Sequence, residues 1–315
     1  MSWDSVPWFV GGGAEHSPEV ARLLAYAATS GAEGVVEPGD LKVQPLAVPG
    51  GSVRVAPGAA LIRNRATGGD QQTYVARNPV EDVVAVAATG SGAGRSDLIV
   101  ARIEDPWLAG EPWQDPVDPK VGPYVFTRVI SNVPAGTTSV ADLNLGFSAI
   151  PLARVDIPAS TATITAGMIT DLRALANPRS TRQALMSGPG TSIQATATTW
   201  TDWNVYNPQV RIPEWATHVD LLTTVSGVLI WDAYTDGDVR NMIGTLTGSA
   251  RGVDFDNPQG PTRETIVMLA GVAVPEAMRG TVQTIKMQVQ MARGKLDALT
   301  GTHVLHDVQF SERAV

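Results

Sequence analysis

The order of apolar and polar positions changes character along the 315 residues. Near the start one stretch has helical period: Val20, Leu23, Leu24 and Ala27 recur at i, i+3, i+4 and i+7 and so share one stripe of a helix. Ser17 is placed to cap its first turn, Pro18 suits the first helical position, and Gly31 is placed to end it. From Gly34 to about Ile164 the text becomes short β-type runs bounded by glycine and proline. Val53 to Val55 leads through Pro57-Gly58 into Ala59 to Ile62, which reads as a hairpin. Thr73 to Val75, Val83 to Val86, Leu98 to Ile103, Tyr124 to Ile130 and Ile150 to Ile157 continue the pattern and predict an antiparallel meander.

The second half has the cleaner alternation. Thr284, Lys286, Gln288 and Gln290 interleave with Ile285, Met287, Val289 and Met291, giving one wet and one buried face. Val219, Leu221, Thr223 and Val225 alternate in the same way. Thr265 to Val274 is nearly all apolar, which predicts a strand covered on both sides. Between the halves, Asn177-Pro178 breaks structure, Arg179 to Met186 suits a short helix, and Ser187-Gly188-Pro189-Gly190 has linker composition.

The expected fold is therefore mainly β. A tail, 1–16, precedes an antiparallel β domain with one short helix, 17–175. A linker able to turn a short helix, 176–190, leads to a jelly-roll-type β-sandwich, 191–315. In the tail, Trp3 and Trp8 beside Gly11-Gly12-Gly13 either fold back on the first domain or plug a neighbouring subunit. The insert Glu104 to Gly122, with four prolines and two tryptophans, reads as a long ordered loop.

Composition narrows the function. With 43% apolar and 17% charged residues the chain can bury cores, and a net charge of −8 argues against a nucleic-acid partner, which needs clustered Lys and Arg. No run approaches the ~20 apolar residues of a membrane span, and the first residues lack the layout of a signal peptide. The absence of cysteine excludes disulfides, thiolate-bound zinc and thiol nucleophiles.

A search for chemistry yields little. Gly90-Ser91-Gly92-Ala93-Gly94 lacks the Lys-Ser/Thr and the helix of a phosphate loop and reads as a hairpin turn. His303 and His306 lie in a strand-like run, where odd spacing sends them to opposite faces and prevents a shared metal. No Gly-x-Ser-x-Gly elbow occurs. Glu104, Asp105, Asp115 and Asp118 read as solvated loop charges. No catalytic residue, metal or cofactor is expected. Two segments stand out, Trp231 to Asp238 and Arg251 to Asn257, because each joins an aromatic ring to carboxylates. Sugars stack their C–H faces on such rings while carboxylates accept from hydroxyls, so Trp231, Tyr234, Asp236, Asp238, Asp254 and Asp256 are candidate glycan contacts. The alternative is acidic turns around a core aromatic. As loops of a jelly roll, both segments are expected at one end of the sandwich, with Trp231 or Tyr234 partly exposed.

Four segments in order carry a resemblance. They are Gly34-Val35-Val36-Glu37-Pro38-Gly39-Asp40-Leu41, the Val53 to Ile62 run, Arg95 to Arg102, and Ile150 to Pro158 followed by Ile164-Thr165 and Ile169 to Arg173. Over residues 20 to 175 the chain resembles the virion-proximal domain of baseplate and minor tail proteins of long-tailed bacteriophages, related to baseplate upper proteins. The resemblance implies a structural role with no catalytic residue. Gly39 and Gly58 would make turns, and Arg95, Asp97 and Asp171 would partner at strand ends. It also implies location in the virion at the tail tip, other tail-tip or baseplate proteins as partners, a homo-oligomer with a trimer favoured, and a host-surface glycan as a target of the outer domain. Alternative readings are an adaptor or spacer for a separate receptor-binding protein, a glycan-binding module of a secreted bacterial protein, and a cell-wall hydrolase.

Overall fold

Ser17 opens the first helix, α1 (Pro18–Ala28), and its hydroxyl accepts from the Val20 N–H at 3.4 Å. Gly31 follows at φ +75°, and a Cβ there would meet the Tyr26 ring at 2.7 Å. Leu23 and Leu24 of the apolar stripe are exposed. The computed structural model describes residues 17–66, 71–108, 113, 118 and 120–315. The tail 1–16 and much of the proline-rich insert (109–112, 114–117 and 119), for which expectations were given above, lie outside the described residues. Two units form, Met1–Asn177 with Ala314–Val315, and Pro178–Arg313.

The first unit holds three small antiparallel sheets. One is β1 (Gly34–Val35), β4 (Gly58–Arg63) and β5 (Thr73–Asn78); a second is β2 (Val43–Pro45), β3 (Ser52–Val55) and β6 (Asp82–Ala85). The third runs β10-β9-β7-β8, from β7 (Arg95–Ile103), β8 (Val125–Val133), β9 (Ala149–Ile157) and β10 (Ile169–Asp171). This is not the expected meander. Pro57-Gly58 does not close a hairpin, because β3 pairs with β2 and β6 while β4 pairs with β1 and β5. The dipeptide is a corner at which the chain changes sheets. Gly58 permits it, since a Cβ there would lie 2.6 Å from that of Asp40. The Asp40 carboxylate then accepts from the Ala59 N–H at 3.1 Å and the Glu37 N–H at 3.0 Å.

Strand β7 is buried on both faces. Ile99, Ala101 and Ile103 enter the main core with Val35, Val53, Ile62 and Leu152, and Leu98 and Val100 enter a smaller one with Val133 and Val140. At its first bulge the buried Asp97 accepts from Arg95 at 2.7 and 2.9 Å and from the Asn132 N–H at 2.9 Å. Asp171 pairs with Arg173, whose guanidinium also donates to the carbonyls of Pro38, Asp40 and Val315.

The second unit starts at Pro178 rather than Thr191, because residues read as linker and helix form a strand. That strand, β11 (Ser180–Ser187), pairs with β22 (His303–Ser311) from Ser180↔Ser311 to Ser187↔Val304. Eight registered pairs override the local preference of Arg182 to Met186, all good helix formers, because intrinsic propensity is small beside tertiary pairing. Between them come β12 (Ile193–Ala195), β13 (Thr201–Asp202), β14 (Gln209–Arg211), β15 (His218–Ile230), β16 (Tyr234–Ile243), β17 (Leu246–Thr247), β18 (Arg251–Asp256), β19 (Thr262–Ala273), β20 (Val282–Arg293) and β21 (Leu296–Ala298). One sheet runs β11-β22-β15-β19, extended along β15 by β21 and β12; the other places β13 and β14, then β20, then β16, then β17 and β18. With the short strands counted with their neighbours, the orders are first-eighth-third-sixth and second-seventh-fourth-fifth. That is the jelly roll, two interlocked Greek keys.

Two hydrophobic clusters fill the space between the sheets, one around Trp203, Val225, Ile230 and Met287, the other around Ile212, Leu221, Ile243, Ile285 and Phe310. The alternations of β15 and β20 fall as read from sequence. Strand β19 does not: Ile266, Met268 and Ala270 are buried, whereas Val267 and Leu269 are exposed. It is an edge strand, and Val267 and Leu269 leave its outer face open among the described residues.

Candidate functional site

The two acidic-aromatic segments are brought together, though as strands rather than end loops. Tyr234 to Asp238 opens β16 and Arg251 to Asp256 is β18, in the register Tyr234↔Asp256, Asp236↔Asp254 and Asp238↔Gly252. Thr235 and Val239 alternate with them into the core, so Tyr234, Asp236 and Asp238 stand on the outer face of the second sheet. Tyr234 is 56% exposed and lies directly across from Asp256. Asp236 faces Asp254, a pairing that like charges disfavour, and is neutralised from the other side by Arg293 Nε at 2.5 Å.

Trp231 goes elsewhere. A bulge between Ser226 and Val228 shifts the alternation of β15, so Val228 and Ile230 point inward and Leu229 outward. Trp231 therefore leans over the outer face of the first sheet, where its indole N–H donates to Asp297 at 3.2 Å. Asp297 also accepts from Ser192 at 2.6 Å and Gln194 at 3.0 Å. Burial pushes its carboxyl upward, but these three donors and the nearby Lys295 outweigh it and hold the group below its ordinary value. Trp231 is 48% exposed, so one ring edge is anchored while the rest meets solvent. The two rings thus belong to opposite outer faces of the sandwich and do not form one site. Only their ends adjoin, where the Asn257 N–H donates to Ala233 O at 2.7 Å.

Further along the same face as Tyr234 lies a polar group that sequence reasoning missed. Arg240 stacks on Trp200 at 4.0 Å and donates to Gln288, while Asp202 accepts from Lys286 at 2.7 Å and Gln288 at 2.8 Å. The period-2 run of Lys286, Gln288 and Gln290 announced a wet face; its partners on β13 and β16 are far away in sequence. Together these residues make a surface rich in donors and acceptors, with two aromatic planes.

Two other readings from sequence change. Glu104 is not a solvated loop charge. It is fully buried at the end of β7, where Arg128 donates to it at 3.1 and 3.2 Å and Arg102 approaches to 3.7 Å. Asp105 accepts from the Tyr74 hydroxyl at 2.9 Å. Strand pairing brings these partners in, which no local pattern reveals. His303 and His306 do take opposite faces of β22, His306 being buried against Thr223 and Tyr206. Among the described residues no group of three or more His, Asp or Glu is placed to hold a metal ion. In the first unit a cleft of about 200 Å³ is lined by Leu41, Ala76, Asn78, Asp82 and Phe126, below the ~300 Å³ at which ligand pockets begin, and a shallower one of about 490 Å³ by Gly94, Arg95, Ser96, Asn132 and Asp156.

No family model matches the sequence, and no curated protein matches it. Among solved structures, the infectious bursal disease virus Gx strain aligns over 90% of this chain and 72% of its own, at 13% identity and a TM-score of 0.26. The VP2 subviral particle of that virus aligns over the same shares at 11% identity and 0.26. The insecticidal delta-endotoxin Cry8Ea1 from Bacillus thuringiensis aligns over 90% of this chain and 52% of its own, at 10% identity and 0.22. At such TM-scores the likeness has no bearing on what this chain does.

Proposed function

We propose that this chain is a non-enzymatic structural component of a phage tail tip or baseplate. Its first unit attaches to the tail and its jelly roll is presented outward. The observation that carries the reading is where the resembling motifs fall. Asp40 and Gly58 build the corner between two sheets, Asp97 with Arg95 fixes the bulge of the central strand, and Arg173 with Asp171 gathers three carbonyls. All act as fold-makers, as the resemblance implies for a virion-attachment scaffold. Mass analysis of purified particles, with antibody labelling of the tail tip, is the test. Absence from particles would end the reading.

The finer proposal is that copies assemble as a homo-oligomer, a trimer being favoured by tail symmetry, and that the outward unit contacts a host-surface glycan through Tyr234 with Asp236, Asp238, Asp254 and Asp256. The 56% exposure of Tyr234 beside Asp256 supports it. Stacking on one ring contributes about 1 kcal/mol, so a single copy would bind at about millimolar strength and depend on repeated display. Particles carrying Tyr234→Ala should adsorb poorly. Unchanged adsorption would favour an adaptor role for the outer unit.

A further inference from the structure

Trp231 is held in solvent by structure that the glycan contact at Tyr234 leaves unused. With unbroken alternation from Val225, residues Gly227, Leu229 and Trp231 would point into the core, where an indole gains most from burial. The bulge at Gly227 reverses this. It is firmly tied: Gly227 stands at φ +77°, and its carbonyl accepts from the buried Thr302 hydroxyl at 3.0 Å and from Arg263 at 2.7 Å. Bulges of this kind re-aim a side chain.

The re-aimed ring is then fixed. Its indole N–H donates to Asp297, which is only 2% exposed although it lies on the outer face of the first sheet, in the row Gln194↔Asp297↔Leu229. The other donors to that carboxylate are Ser192 and Gln194, both exposed residues. Three side chains that reach solvent thus converge on one buried carboxylate, which sets their positions relative to one another. Among the described residues the Gln194 carboxamide oxygen accepts no hydrogen bond, and Lys295, which is near enough to act on Asp297, donates none from its side chain.

We propose that Trp231 is the stacking plane of a second sugar-binding site, separate from Tyr234, which takes a β-linked pyranose with equatorial hydroxyls. Such a ring turns only C–H bonds to its faces, which suits the electron-rich face of an indole. Its hydroxyls donate to Gln194 and accept from Lys295. Asp297 is a positioning residue: it touches no sugar, but it orders the indole, Ser192 and Gln194 before binding and so lowers the entropy lost on association. The net charge of −8 argues against a nucleic acid, the other common ligand of an exposed ring. The site depends on neither the tail-tip assignment nor the Tyr234 contact.

The full chain labelled with fluorotryptophan would be titrated with methyl β-D-glucopyranoside and followed by fluorine NMR. There are eight tryptophans, and the Trp231 signal is the one missing from Trp231→Phe. The expected result is a saturable shift of that signal, half-complete at roughly 10 mM as befits a single stacking plane, and unchanged in Tyr234→Ala. Asp297→Asn takes an acceptor away from three donors and should raise the half-saturation several-fold. No saturable shift up to about 100 mM, an equal shift with glycerol, or a shift lost in Tyr234→Ala overturns the proposal. Unchanged half-saturation in Asp297→Asn overturns the positioning role. Adsorption that depends on Tyr234 while the Trp231 signal stays still would remove this site and leave the Tyr234 reading intact.

Discussion

The Thr223 hydroxyl and Nδ1 of His306 lie 2.9 Å apart inside the sandwich, and their contact sets the tautomer of the imidazole. His306 Nε2 lies 3.1 Å from the Tyr206 carbonyl, which only accepts, so Nε2 carries the proton and Nδ1 accepts from Thr223. Thr223 in turn accepts from the Asn241 side chain, which also donates to Leu221 O at 2.9 Å and bridges the two sheets. The network holds a neutral histidine.

Stability should therefore fall in mild acid. Burial holds His306 below the ordinary histidine value, with the Tyr206 carbonyl opposing more weakly, and burial with Arg313 does the same to His218. Above about pH 6.5 both states are neutral and nothing changes. Below it the unfolded chain takes up a proton that the folded one refuses, at up to ~1.4 kcal/mol per pH unit and per group, until the folded-state pKa is reached. Urea midpoints at about pH 7.5 and 5.5 should differ more in the wild type than in His306→Gln. Equal differences would show that His306 is not the group responsible.

Arg173→Met should unfold the first unit selectively. The guanidinium is fully buried and serves Asp171 and three carbonyls, so its loss should cost about 3 kcal/mol or more. Arg173→Lys should recover only part, because one ammonium cannot reproduce the fork. Calorimetry would show the transition of the first unit falling while that of the second stays in place. A shift of both together would mean that the units melt as one.

Fragment boundaries give a third test. A fragment from Pro178 keeps β11 on β22, whereas one from Thr191 strips β11 and bares the β22 edge along eight paired positions. The longer fragment should be soluble and cooperative in melting, the shorter prone to aggregate. Comparable behaviour of the two would reduce β11 to an accessory.

Because Trp231 and Tyr234 occupy opposite outer faces, they should act independently in attachment. Tyr234→Ala should change stability by less than about 0.5 kcal/mol, being an exposed site, and should reduce adsorption alone. Trp231→Ala should destabilise the unit by about 1 kcal/mol, since Asp297 loses a donor. A double variant whose adsorption defect far exceeds the sum would mean that one ligand touches both rings.

Much of this molecule is legible in local pattern. Ser17, Pro18 and the Val20 to Ala27 stripe specify α1 because capping and helical period are local properties. The alternations around Val219 and Lys286 specify two half-buried strands for the same reason. Other features depend on what lies across the space. Arg182 to Met186 is a strand because β22 offers eight partners, and Pro57-Gly58 is a corner because Asp40 packs against it. Thr265 to Val274 announced two covered faces, yet among the described residues Val267 and Leu269 stay exposed on one of them. The candidate site shows the division most sharply. The residue types of Trp231 and Tyr234 mark both rings as candidates, but the bulge at Gly227, backed by the Gly301 carbonyl 2.9 Å from where a Cβ would stand, turns Trp231 outward on the first sheet. Side chains alternate with a period of two, so one extra residue reverses every face that follows, and only the paired strands decide where that residue is accommodated.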